Sequence, residues 1–235
     1  MSPAIMTVVL VATFVSFTVS ASAGLGGSLV LVPTLVAVLG PKEGVALAAL
    51  LLAANNVVKV VAYRDRLPYR VAVPVVALVS IGAFLGSTLL VAAPEAWVLA
   101  AVGVALIAGF ALERAPVTSK PAGPLLAFGS GATSGFSGTS GPLKGMALRA
   151  LELDRHHLVG AASLVSLFGD ATKSAVFAEA GLLGPNAVRV AVAAVPLMLA
   201  GTFLGRRLND ELGEQGYAAL FWLVMSGYLA RLALA

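Results

Sequence analysis

Two short glycine-rich stretches decide the fold. Ser20–Ser28 reads SASAGLGGS, and Gly131–Thr139 reads GATSGFSGT. Paired at a constant spacing of 111 residues, they match small residue with small residue at every step except Leu25 and Phe136. Both interrupt long apolar regions, where lipid offers no partner to a free backbone N–H or C=O group. Irregular backbone there must be enclosed by protein or line a wet cavity.

Further matches extend this internal repeat. Asn56–Lys59 (NVVK) corresponds to Asp170–Lys173 (DATK) 114 residues later, and Gly82–Gly86 (GAFLG) corresponds to Gly201–Gly205 (GTFLG) 119 residues later. Three matches in the same order, with slowly growing spacing, indicate a duplication with small loop insertions. The sequence predicts a first membrane repeat at 1–112, a cytoplasmic linker at 113–121 and a second repeat at 122–235.

The composition places the chain in a membrane. Of its 235 residues, 59% are hydrophobic and 11% are charged, whereas a soluble domain has about 45–50% and about 25%. This excludes a soluble enzyme domain, a nucleic-acid-binding module and a disordered chain. There is no cysteine for a disulfide or a thiolate site, and no metal-ligating or catalytic set is recognisable, so we expect no metal, no cofactor and no enzyme.

Charged residues, prolines and glycines divide the chain into apolar segments that we predict to be helical. They cover 5–19, 29–39, 44–62, 71–91 and 97–112 in the first repeat, and 125–130, 143–151, 158–178, 187–204 and 217–234 in the second.

The basic residues indicate how these segments cross the membrane. If each glycine-rich break forms a hairpin, nine basic residues lie on one side and three on the other; if each break lies within one crossing, the division is seven to five. Positive charge concentrates on the cytoplasmic side, which favours hairpins. Each hairpin, re-entrant or made of two short spans, is then followed by three transmembrane helices. The repeats therefore have inverted topology, and both termini lie outside.

The paired breaks are the predicted binding site. A helix that begins within the membrane presents free N–H groups and the positive end of its dipole, which suits an anion. Paired broken helices are also typical of the binding sites of secondary transporters. The alternative is that these small residues only allow helices to pack closely. The predicted binding residues here are Gly24, Gly26, Gly27, Ser28, Ser137, Gly138, Thr139 and Ser140.

The ionisable residues inside the spans are further candidates, because such residues usually face a cavity. We predict that Asn56, Lys59 and Lys173 bind the anion, and that Asp170 pairs with Lys173 or couples a proton. Lys59 has an alternative, because it could extend to the membrane interface. Lys144 could lie beside the anion or face cytoplasmic water. The pairs at Gly82–Gly86 and Gly201–Gly205 are predicted helix-packing motifs.

Several motifs together resemble the sulfite exporter TauE/SafE family. They are AGLGG at 23–27, with Val32-Pro33 after it, GPKE at 40–43, SGFSGTSGPL at 134–143 and GTFLGRRL at 201–208. The resemblance covers nearly the whole chain. It implies a duplicated transporter in the bacterial inner membrane that moves sulfite, sulfoacetate or related anions. The chain departs from the family where members often carry three successive glycines, at Gly26–Ser28 and Thr139–Gly141, which leaves the substrate open.

The sequence thus predicts an all-α polytopic membrane protein that carries a small anion, sulfite or an organosulfonate such as sulfoacetate, by alternating access. Alternatives are a passive anion channel, a cation or metal permease of similar architecture, and a non-transporting subunit or intramembrane enzyme. The expected partners are the anion, the lipid bilayer, protons as coupling ion and a second copy of the chain in a homodimer, without nucleic acid.

Overall fold

The computed structural model describes residues 2–23, 27–113, 123–139, 141–153, 155–205 and 207. Within these ranges the regular structure is helical and contains no strand. This agrees with the predicted all-α class. The linker beyond Glu113 and the last predicted span, 217–234, lie outside the described residues.

The helices follow the predicted apolar segments closely, because loops begin where prolines, glycines and charges interrupt them. They are α1 (Pro3–Ala23), α2 (Gly27–Leu39), α3 (Pro41–Ala62), α4 (Tyr69–Ala92), α5 (Glu95–Glu113), α6 (Gly123–Ser137), α7 (Gly141–Arg149), α8 (Arg155–Glu179) and α9 (Pro185–Gly205), with a 3₁₀ turn at Arg64–Arg66.

Four of these helices are long and apolar enough to cross a membrane: α1, α3, α4 and α9. Helix α8 is longer still, with 25 residues, but it carries Asp170 and Lys173 in its interior. Both side chains are buried within the protein, as expected for ionisable groups at membrane depth. The chain is therefore a multi-pass membrane protein.

The breaks are narrower than the glycine-rich stretches. Helix α1 continues to Ala23 and α6 continues to Ser137, so much of each stretch is helical. The next helices begin two residues before the apolar segments predicted at 29–39 and 143–151, α2 at Gly27 and α7 at Gly141. Helix α7 has nine residues, about 14 Å of rise, and a bilayer core is about 30 Å thick. It is therefore too short to cross by itself, which favours the re-entrant form of the second hairpin.

Glycines bring two pairs of helices into backbone contact. Gly82 and Gly86 on α4 lie against the backbone of α6, and a Cβ on either would overlap main-chain atoms of that helix. Gly201 and Gly205 on α9 lie against the backbone of α1 in the same way. The predicted helix-packing motifs are thus confirmed. Helix α6 returns the contact through its own Gly131, which explains why that stretch is helical rather than open.

Two clusters of buried apolar side chains leave a polar layer between them. The larger includes Phe17, Leu51 and Phe177, and the smaller includes Val79 and Leu164. The polar layer is built from the two breaks and from the middle of α3 and α8. Its position inside the helix bundle follows from the cost of leaving polar groups in lipid.

The glycine contacts give a first prediction. Gly86→Ala should lower the thermal stability of the detergent-purified protein, because the added Cβ meets the Ala132 carbonyl of α6 and overpacking costs about 1–3 kcal/mol. Gly103→Ala on α5 is the matched control, since a Cβ there meets no atom within 4 Å. Equal unfolding temperatures for the two variants would contradict the proposed role of close packing.

Candidate functional site

A polar cavity of about 40 Å³ lies where the two helix breaks meet the middle of α3 and α8. It draws residues from both halves of the chain. The lining consists mainly of hydroxyl, amide and charged groups: Ser20, Gly27, Ser28, Leu52, Asn56, Lys59, Ser134, Gly138, Lys144, Ala162, Ser163, Ser166 and Asp170.

Two lysine–serine hydrogen bonds connect the long helices α3 and α8 to α1 and α6, the helices that precede the breaks. Lys59 Nζ on α3 donates to Ser20 Oγ on α1 at 2.6 Å, and Lys173 Nζ on α8 donates to Ser134 Oγ on α6 at 2.8 Å. Each lysine follows its serine by 39 residues. Lys59 is 8% exposed, so the alternative in which it extends to the membrane interface is wrong.

Asp170 is held by two groups. Its Oδ1 lies 2.6 Å from Lys173 Nζ, three residues along the same helix, and its Oδ2 accepts a hydrogen bond from Asn56 Nδ2 at 2.8 Å. The predicted pairing of Asp170 with Lys173 is therefore confirmed. Asn56 is the residue that corresponds to Asp170 in the first half. One half therefore supplies an amide and the other a carboxylate, and the two meet directly.

The two breaks touch each other. Ser28 Oγ lies 3.1 Å from Thr139 Oγ1, and Ser16 Oγ on α1 donates to the Gly27 carbonyl at 2.5 Å, which ties α1 to the start of α2. Gly138 ends α6 with a φ of +78°, and a Cβ there would meet the side chain of Val32 at 3.0 Å. Both the backbone conformation and the space therefore require glycine at this point.

Lys144 brings a further positive charge from the first turn of α7. Its Nζ donates to Ser166 Oγ on α8 at 2.8 Å, and the residue lines the cavity. Of the two alternatives for this side chain, the structure supports the position at the cavity.

The structure brings most of the predicted site residues together. Those that line the cavity or bond to a lining residue are Gly27, Ser28, Asn56, Lys59, Gly138, Thr139, Asp170 and Lys173. Ser137 is not among the lining residues, since its hydroxyl is directed at the carbonyl oxygens of Thr133 and Thr139, 2.8 and 3.2 Å away. Gly24, Gly26 and Ser140 lie outside the described residues.

The predicted binding residues did not include the serines at 20, 134, 163 and 166, and the position of Lys144 was left open between two alternatives. A signal for two of them was present, because Ser20 and Ser134 are separated by the same 114 residues as the Asn56–Asp170 pair. The spacing of 111 holds for Ser28 and Thr139 at the start of the second hairpin arm, but it does not relate α1 to α6. Ser163 and Ser166 carry no such repeat signal.

Comparison with known proteins agrees with the resemblance noted in the sequence. A family model described as sulfite exporter TauE/SafE matches residues 8–232, nearly the full chain and every residue that lines the cavity. The family implies a membrane transporter of sulfur-containing anions rather than an enzyme. No curated protein and no solved structure gives a match.

The buried ion pair gives a second prediction. Lys173→Met should strongly destabilise the protein, because it leaves the Asp170 carboxylate buried without its cation, at a cost of about 3–5 kcal/mol. Adding Asp170→Asn should restore much of the lost stability, since the uncompensated charge is then gone. Unfolding temperatures of the single and double variants in detergent measure this. A double variant no more stable than the single one would contradict the pairing.

Proposed function

We propose that this chain, which belongs to the sulfite exporter TauE/SafE family, is a secondary transporter that carries a small sulfur oxyanion across the bacterial inner membrane. Family membership makes it a multi-pass membrane transporter of sulfur-containing anions in general. The finer proposal is that sulfite, or an organosulfonate such as sulfoacetate, binds in the polar cavity and crosses by alternating access.

One observation carries the proposal: the cavity is lined by lysines that lack a carboxylate partner. Within the part of the chain that the structure describes, Lys59 and Lys144 bond to serine hydroxyls and to no carboxylate. The carboxylate of Asp170 is already neutralised by Lys173. With these lysines protonated, the site carries excess positive charge, which attracts an anion and repels a cation. This argues against the cation or metal permease.

The helix breaks support the same conclusion. Helix α2 begins at Gly27, which lines the cavity, and α7 begins at Gly141, three residues after Gly138. The first N–H groups of a helix have no partner within it, and the positive end of its dipole favours negative charge. We therefore assign the backbone of the two breaks to the oxygens of the anion, with the hydroxyls of Ser28 and Thr139 beside them.

The size of the cavity favours a small substrate. A single water needs about 10–15 Å³ on this measure, so 40 Å³ accommodates roughly three water-sized groups. Sulfite, a sulfur with three oxygens, fits this description better than sulfoacetate, which carries a second acidic group. We therefore place sulfite first.

Several contacts support inverted repeats. Residues at corresponding positions meet each other in the pairs Ser28–Thr139 and Asn56–Asp170, as they do on a two-fold axis. The two lysine–serine contacts are also equivalent in spacing.

The directions of α3 and α8 also support inverted repeats. The start of α3 shares an apolar cluster with the end of α8, through Val45 and Phe177. The end of α3 shares the other cluster with the start of α8, through Val60 and Leu158. The two equivalent helices thus run in opposite directions, which is what inversion requires. The nine-to-three distribution of basic residues supports a cytoplasmic linker and external termini.

A flux assay tests the function. Proteoliposomes loaded with unlabelled sulfite and diluted into radiolabelled sulfite should accumulate label transiently, because a carrier exchanges one ion for another. Lys59→Gln should reduce this counterflow roughly ten- to 150-fold, since it removes a charge-assisted hydrogen bond worth about 1.5–3 kcal/mol.

Lys42→Gln is the matched control. It also removes one lysine charge, but from a side chain that donates to the Val91 carbonyl at the end of α4, away from the cavity. It should retain the counterflow of the unmodified protein. Label entry that never exceeds equilibrium would identify a passive channel, and no entry of any tested anion would refute transport.

A further inference from the structure

The charges around the cavity do not cancel. Among the residues that the structure describes, four ionisable side chains lie at this site: Lys59, Lys144, Lys173 and Asp170. Asp170 and Lys173 form an ion pair of 2.6 Å and compensate each other. In their protonated forms, Lys59 and Lys144 add two further positive charges, and within the described residues their side chains donate to the hydroxyls of Ser20 and Ser166.

The two halves differ in which residue supplies a lysine without a carboxylate partner. In the first half, the neighbour of Lys59 is the neutral Asn56, so this lysine keeps its charge unpaired. In the second half, the carboxylate of Asp170 compensates the positive charge of the corresponding Lys173. Lys144 on α7 then supplies one lysine without a carboxylate partner. It has no counterpart in the first half, because α2 contains no charged residue. Each half thus contributes one uncompensated lysine to the same cavity.

Two uncompensated charges in one small cavity repel each other, and the low dielectric of the surroundings strengthens the repulsion. A singly charged anion cancels only one of them. A doubly charged anion cancels both and leaves the polar layer neutral, which is the least costly state for buried charges.

We propose that the cavity selects doubly charged oxyanions over singly charged ones of the same shape, and that Lys144 is the residue that sets this preference. The inference rests on the anion-transport function proposed above and narrows its substrate class. It assigns separate roles to the lysines: Lys59 provides attraction common to all anions, and Lys144 provides discrimination by charge.

The test uses anion pairs that differ in charge but hardly in shape. Sulfate and methanesulfonate are tetrahedral, and sulfite and methanesulfinate are pyramidal; in each pair a methyl group replaces one oxygen and removes one negative charge. Binding of all four to the purified full chain is measured by isothermal titration calorimetry near neutral pH, where sulfate is fully ionised. In at least one pair, the dianion should bind about tenfold or more tightly than the monoanion.

Variants locate the preference. Lys144→Gln should bring the dianion-to-monoanion ratio close to one while the monoanion still binds, and Lys144→Arg should keep the ratio. Lys42→Gln, which removes a lysine charge outside the cavity, should also leave the ratio unchanged.

Three results would overturn the inference. A monoanion that binds as tightly as its dianion in both pairs refutes charge selection, whether or not any variant folds. An unaltered ratio in Lys144→Gln refutes the role of Lys144. Absence of binding by all four anions refutes the proposed function as well, so the two failures are distinguishable.

Discussion

The membrane interior offers no compensation for a charge or a free backbone group, and the polar core of this protein follows from that constraint. Asp170 and Lys173 lie inside α8 and Lys59 lies in the last turn of α3, where they would face lipid if the helices were separate. They are buried instead, and each contacts a polar group on another helix. The first helices of the two hairpins, α1 and α6, supply Ser20 and Ser134, the serines that the two lysines contact.

Close packing of the outer helices fixes the positions of the helices that build this polar layer. The backbone of α6 rests on α4, and that of α1 rests on α9, because glycines at these positions leave room for close approach of the two backbones. Helices α1 and α6 carry Ser20 and Ser134, the partners of the two buried lysines. The glycine pairs on α4 and α9 are distant in sequence from the residues that line the polar cavity, yet they position the helices that carry its serine hydroxyl groups.

Much of this arrangement can be predicted from the sequence, because apolar length and isolated charges leave few alternatives in a membrane. The helix boundaries, the starts of α2 and α7, the glycine packing and the Asp170–Lys173 pair follow from such local signals.

Ser163 and Ser166 could not be predicted, since a serine in a membrane helix commonly bonds to its own backbone and only the tertiary fold shows which serines face a cavity. Ser137 illustrates the reverse: it stands in the most suggestive motif, but its hydroxyl is satisfied locally. The extent of each break was overestimated because glycine serves helix packing as readily as it interrupts a helix.

The two halves correspond in position but differ in charge, and this difference bears on the proposed transport cycle. An incoming anion can draw Lys59 away from Ser20 by exchanging a neutral hydrogen-bond acceptor for a charged one. Drawing Lys173 away would leave Asp170 buried without its cation, at a cost of about 3–5 kcal/mol. In the proposed cycle, the anion would therefore act first on the lysine of the first half, while the second half keeps its ion pair. In a carrier whose related halves exchange conformations, identical halves would make the inward- and outward-facing states equal in energy. The pairing of Asp170 with Lys173, where the first half has Asn56 and Lys59, is one difference between the halves that would make the two states of the proposed cycle unequal in energy.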